Sequence, residues 1–225
     1  REHLLFHLLL QNIHQIKEKL ADTKIDDYVL LFIAGHGFLD EKLDYYFGTY
    51  DINPYNPSER GLPFEEIEAF LDKIPARNRI ILLDTCHSGE VDKEFSVDFT
   101  IATNNNSQVK TRALRLFRVK NELGYKNTTR LMEELFLDLR KGTGAYIISS
   151  SSGYECSLES EKWSNGVFTY SFLEGLKTKN ADLDSNGNIT ISETKNYVIK
   201  KVMELTAGRQ NPTTRKINRK KDFIL

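Results

Sequence analysis

The chain has only two cysteines, Cys86 and Cys156, and no apolar run that approaches the roughly 20 residues needed to span a bilayer. So few cysteines argue against a disulfide framework and for a reducing, cytoplasmic setting. The opening REHLLFHLLL is too short, and too polar in its flanks, for a signal peptide. An excess of one charge is missing as well: 31 basic residues face 32 acidic ones, for a net charge of −1. That balance gives no general pull toward nucleic acid or a membrane surface. No internal repeat is visible, and the first residue is Arg1 rather than methionine, which reads as a piece of a longer chain with further domains as partners. What remains, 225 residues at 40% hydrophobic content, is enough to bury one full core.

The pattern along the chain alternates. Apolar residues at helical spacing run through 3–20. YVLLFIAGHG (28–37) reads as a strand buried on both faces, and YYFGTYD (45–51) as a shorter strand. LPFEEIEAFLDKI (62–74) opens with proline and early acids, as a helix does. RIILLD (79–84) and AYIISSSS (145–152) are further buried strands, the latter preceded by the amphipathic TTRLMEELFLDLRKG. GVFTYSFLEGL and TISETKNYVIKKVMEL close the chain as helices. Strands alternating with helices predict an α/β fold, a mostly parallel sheet with helices on both faces. Between Val91 and Gly124 the pattern dissolves into a mobile linker, within which KTRALRLFRVK carries five basic side chains and no acid. The basic RQNPTTRKINRKK (209–221) reads as a solvated face or a docking tail.

Chemistry in a parallel α/β sheet gathers at the carboxyl ends of its strands. Two candidates stand there: His36 after the first strand and Cys86 after the second. The intervening helix allows the two strands to be neighbours joined by a right-handed crossover, with both side chains at one edge. Cys86 is then either a buried, inert thiol or a nucleophile, and His36 supplies the base that makes a thiolate. His87 is a competing base, but neighbours in the chain usually point apart. Gly35 and Gly37 let the backbone approach a substrate, and the N–H groups of Gly37 and Cys86 are the candidates for an oxyanion hole. Cys156 has no histidine partner in sequence and reads as a packing residue.

FIAGHG, LLDTCHSGE and WSNGVFTYSFLEGL together resemble the caspase-like cysteine peptidases, and the DTCHSG version is similar to the metacaspase and bacterial caspase-like branch. The 50 residues from His36 to Cys86 match the caspase spacing. The closing GRQNPTTRKINRKKDF resembles bacterial caspase-like domains fused to WD40 repeats, although no such repeat is present here. The resemblance implies an α/β/α caspase-like domain over 1–225: a large-subunit-like part at 1–90, the linker at 91–124 and a small-subunit-like part at 125–225. The family fold opens with a strand and a helix ahead of residues 3–20, so this chain lacks the family's first strand. It implies a cysteine endopeptidase acting through a thioester, on a protein or peptide substrate, with no nucleic-acid or membrane partner. The alternative is a non-catalytic interaction module that kept the fold.

Asp84, two residues before Cys86, shares its strand face. In metacaspases this position binds a cationic substrate side chain, which implies cleavage after Arg or Lys, with Glu155 and Glu159 as possible supplements. The other reading of Asp84 is a strand-end acid or a salt bridge to Arg79. A self-nick between Lys110 and Lys126 would follow from basic specificity. Catalysis of this kind requires no cofactor. A calcium ion is one candidate ligand, because DLDSNGNITISE (182–193) fits the twelve-residue calcium loop, with Asp182, Asp184, Asn186, Asn188 and Glu193 around Gly187. TISE within it is equally a capping box for the last helix.

Overall fold

The two apolar runs that end at His36 and Cys86 form the centre of the protein. The structure, a computed structural model, describes residues 13, 15–40, 42, 44–87, 109–111, 145–151, 157–160, 162–215 and 222–225. Strands β1 (Tyr28–Leu39) and β4 (Asn78–His87) pair in parallel along nearly their whole length, and β6 (Tyr146–Ser149) pairs in parallel with β4. The flanks reverse direction. β2 (Tyr45–Phe47) and β3 (Leu62–Pro63) fold back antiparallel on one side, and β9 (Thr213–Arg215) runs antiparallel to β6 on the other. The result is a mixed six-stranded sheet in the order β3-β2-β1-β4-β6-β9, parallel at its core. β5 (Val109–Thr111), β7 (Leu158–Ser160) and β8 (Asn165–Gly166) make a separate antiparallel sheet, so the stretch read as linker contains a short strand.

Alternation along β4 divides the core in two. Ile81 and Leu83 face α1 (Phe64–Asp72), whose Phe64, Ile67, Phe70 and Leu71 recur at helical spacing, together with Tyr45 and Phe47. Ile80 and Leu82 face α2 (Val167–Lys177) and α3 (Ile191–Thr206) through Val167, Phe168, Phe172, Ile191, Val198 and Val202. The two helices approach closely at Gly175, where any Cβ would lie 2.6 Å from the Tyr197 ring. The Tyr197 hydroxyl donates to Glu174, and Lys201 lies 3.6 Å from the same carboxylate.

Two expectations are corrected. β1 is buried on one face only: Tyr28, Leu30 and Phe32 are 57%, 49% and 44% exposed, because α2 and α3 cover β4 and β6 rather than β1. Along 28–35 no strand among the described residues pairs with its outer edge. The basic C-terminal stretch is not simply a solvated tail. It contains β9, and Gln210 within it is fully buried. Among the described residues no helix is long and apolar enough to cross a membrane.

Candidate active site

The parallel register of β1 and β4 sets Ala34 opposite Asp84, Gly35 opposite Thr85, His36 opposite Cys86 and Gly37 opposite His87. Neighbouring strands lie about 4.8 Å apart, and directly paired residues share a face. His36 and Cys86 therefore occupy adjacent positions on one face at the carboxyl ends of both strands, as the sequence anticipates. For Cys86 and His87 the description covers the backbone alone. His36 is half-buried, with Nδ1 shielded from solvent. Its carbonyl accepts a 2.7 Å hydrogen bond from the Gly48 N–H, which ties this end of β1 to the residue after β2.

The two glycines beside His36 are there for different reasons. Gly35 has φ of 151°, outside the range side chains favour, while nothing lies within 4 Å of a Cβ placed on it. Gly37 is a matter of space, since a Cβ there would fall 1.7 Å from the Tyr45 hydroxyl. Tyr45 thus presses on the strand from the face opposite His36, and its hydroxyl reaches Thr85 Oγ1 at 3.4 Å. Sequence reading assigned both glycines to substrate approach and missed this buttress.

On the His36 side, the apolar positions Ile80 and Leu82 give way to Asp84, which is fully buried. Thr169 Oγ1 donates to its Oδ2 at 2.5 Å. The alternative partner, Arg79, stands at the other end of β4, where its guanidinium donates to the carbonyls of Ala76 and Leu71 and lies 4.0 Å from Asp72. Five residues of strand span roughly 16 Å, so an Arg79–Asp84 bridge does not form. Behind Asp84 a polar cradle holds the strand. The Thr85 carbonyl faces the hydroxyls of Ser150 (3.3 Å) and Ser157 (3.5 Å), which bond each other at 2.7 Å. Gln210 completes it, accepting from the Leu158 N–H at 2.7 Å and donating to the Ser150 carbonyl at 2.8 Å. Nothing in the composition around Thr169 or Gln210 marks them from sequence, because their partners lie 85 and 60 residues away.

Of the two supplementary acids, only Glu159 is among the described residues. Glu159 belongs to the second sheet, registered opposite Lys110 and Gly166. Glu155 and Cys156 lie outside the described residues, as do most of the linker and its proposed nick.

The calcium-like loop closes on itself. The Asp182 carboxylate accepts from the N–H groups of Asn186 (3.1 Å) and Gly187 (2.9 Å), with φ of 86° at Gly187 making the turn. Asp184 accepts from the Asn186 backbone and side chain, and Asn186 Oδ1 from the Asn188 N–H. Glu193 takes four bonds: from the amides of Leu183 and Asp184 on one oxygen and from the Thr190 amide and hydroxyl on the other. Both halves of the capping box are formed. The Thr190 donors hold the Glu193 carboxyl below its usual range. Ligand atoms of Asp182, Asp184 and Glu193 lie within 4.8 Å of one another. This all-oxygen donor set suits Ca²⁺, yet the same oxygens already satisfy the loop's own amides.

A family model of the caspase domain matches residues 4–224. No curated protein matches the chain. Among solved structures, the crystal structure of protein GSU0716 from Geobacter sulfurreducens is similar in fold, at 20% identity and a TM-score of 0.52, covering 94% of this chain and 74% of that one. With the family model spanning nearly every residue and the sheet assembled as described, the chain belongs to the caspase-domain family, and its α/β fold agrees with that membership.

Proposed function

We propose that this chain is a cysteine endopeptidase of a reducing compartment that cleaves after Arg or Lys, with Cys86 as nucleophile and His36 as acid and base. The observation that carries the reading is the direct pairing of His36 with Cys86 at the ends of adjacent parallel strands. His36 removes the thiol proton, and the thiolate adds to the scissile carbonyl. Backbone N–H groups of Gly37 and Cys86 receive the developing oxyanion. Gly37 is registered with both Phe47 and His87, so its amide serves only if this last rung opens as substrate arrives. The tetrahedral adduct expels the amine, which takes the proton from His36 and leaves an acyl thioester on Cys86. Water, deprotonated by His36, then releases the acid and restores the thiol.

Asp84 supplies the preference for a cation. A buried carboxylate on the face of the dyad gains most from a guanidinium, which meets it through two parallel bonds, and less from an ammonium. Because Asp84 is fully buried, the substrate side chain has to displace what covers it.

Fluorogenic peptides test the assignment. Cys86→Ala and His36→Ala should each abolish turnover, since the two act as a unit, whereas Cys156→Ala should retain most of it. Substantial turnover in either of the first two variants contradicts the dyad. Asp84→Asn should cut kcat/KM for Arg peptides by about two decades, and a wild-type preference for cleavage after Asp would remove Asp84 from the pocket. Iodoacetamide labelling of Cys86 no faster than that of Cys156 would favour the non-catalytic module instead.

A further inference from the structure

Four hydroxyls on α2, at its C-cap and on α3 have a common habit. Ser171, Thr178, Thr194 and Thr206 each turn the hydroxyl back to the carbonyl four residues earlier, at 2.7 to 2.9 Å. This local bond is the ordinary outlet for a hydroxyl on a helix. Thr169 departs from it and reaches across to Asp84 Oδ2, 85 residues away, at 2.5 Å.

The departure has electrostatic consequences. Removing a carboxylate from water favours its neutral form, and a hydroxyl donated to the charged form opposes that. Thr169 sits in the first turn of α2, where the helix dipole also favours negative charge. Its branched Cβ limits χ1 to two main rotamers in a helix, and the bond to Asp84 selects one of them. Thr169 is itself only half-buried, unlike the fully buried Asp84 beside it.

We infer that Thr169 is a positioning residue for substrate selection: its hydroxyl holds the Asp84 carboxylate oriented toward a cationic side chain next to the scissile bond. The inference rests on the proposed peptidase reading and adds to it a residue on a different element, outside the dyad and its strands. Thr169 takes no part in bond making; it acts through Asp84 alone.

The test is kinetic, on the intact chain, with paired peptides that differ only in Arg or Leu before the scissile bond. Thr169→Val keeps the shape and removes the donor. Loss of one charge-assisted hydrogen bond predicts a fall of about 10- to 100-fold in the Arg-to-Leu ratio of kcat/KM, carried mainly by KM for the Arg peptide. Thr169→Ser, which restores the hydroxyl, should recover most of that ratio. An unchanged ratio in Thr169→Val, or equal losses on both peptides without rescue by serine, overturns the inference and leaves the peptidase reading standing. A wild-type chain with no Cys86-dependent cleavage, or with no preference for Arg, refutes the reading underneath and this inference with it.

Discussion

Replacing Gly37 with alanine should be among the most costly single-methyl additions in this protein, and Tyr45 should be the reason. The added Cβ would fall 1.7 Å from Tyr45 Oη, 2.3 Å from Cζ and 2.7 Å from Cε2. Carbon contacts settle near 3.5–4.0 Å, so the ring must retreat by roughly 2 Å. It has little room, being 6% exposed and held edge-on against Phe47 and Phe64 at centroid distances of 5.2 and 6.5 Å. Overpacking of this kind costs about 1–3 kcal/mol, and an overlap this deep belongs at the upper end. Tyr45→Leu removes the three clashing atoms and alone should cost about 1–3 kcal/mol through the space it leaves. In that background Gly37→Ala should cost below about 1 kcal/mol, a coupling of about 2 kcal/mol. Urea denaturation with unchanged m-values measures all four corners of the cycle. Gly35→Ala is the control: its cost, about 1–3 kcal/mol, comes from backbone conformation and should be the same with or without Tyr45→Leu. Equal costs for Gly37→Ala in the two backgrounds would refute the packing explanation.

Two further perturbations probe the supports of the site. Gln210→Leu deprives the Leu158 amide and the Ser150 carbonyl of their buried partners, and at about 1–3 kcal/mol for each group the loss should total about 2–6 kcal/mol by denaturant titration; a cost below about 1 kcal/mol would deny Gln210 its bracing role. Burial, with Glu174 adding to it, pushes the Tyr197 hydroxyl up to about 12. A raised folded value means that its contribution is whole below the unfolded value near 10 and is lost as pH climbs toward 12. Tyr197→Phe should therefore flatten the alkaline loss of stability between those limits, and an unchanged pH profile would contradict the assignment.

The sequence was most readable where one physical demand acted alone. Ile80 to Leu83 are apolar in succession because β4 is covered on both faces, and the cover continues over Asp84 and Thr85. The pairing of His36 with Cys86 followed from topology, since a helical crossover between two parallel strands brings their ends together. YVLLFIAGHG misled by the same logic. Its apolar character matches a doubly buried strand, yet Tyr28, Leu30 and Phe32 stay exposed because covering an element is a property of its neighbours. β9 was illegible because three residues, Thr213 to Arg215, are too few to show alternation, and their basic surroundings suggest solvent. Thr169 and Gln210 were hidden for another reason: a hydrogen bond between distant segments leaves no local periodicity.

The His36–Cys86 pairing also bears on the life of the chain before it is folded. Each partner comes from a different strand, and their meeting depends on register rather than on local sequence. A slip of one residue between β1 and β4 would carry His36 to the opposite face from Cys86, because side chains alternate with a period of two. A nascent chain exposes β1 well before β4 is available, and a misregistered one holds the two groups on opposite sides of a sheet. Neither would carry the proposed dyad in assembled form. On the proposed peptidase reading, register serves as a timer and a checkpoint: reactivity should arise with the native sheet, so that active-site titration counts correctly paired molecules and not merely compact ones.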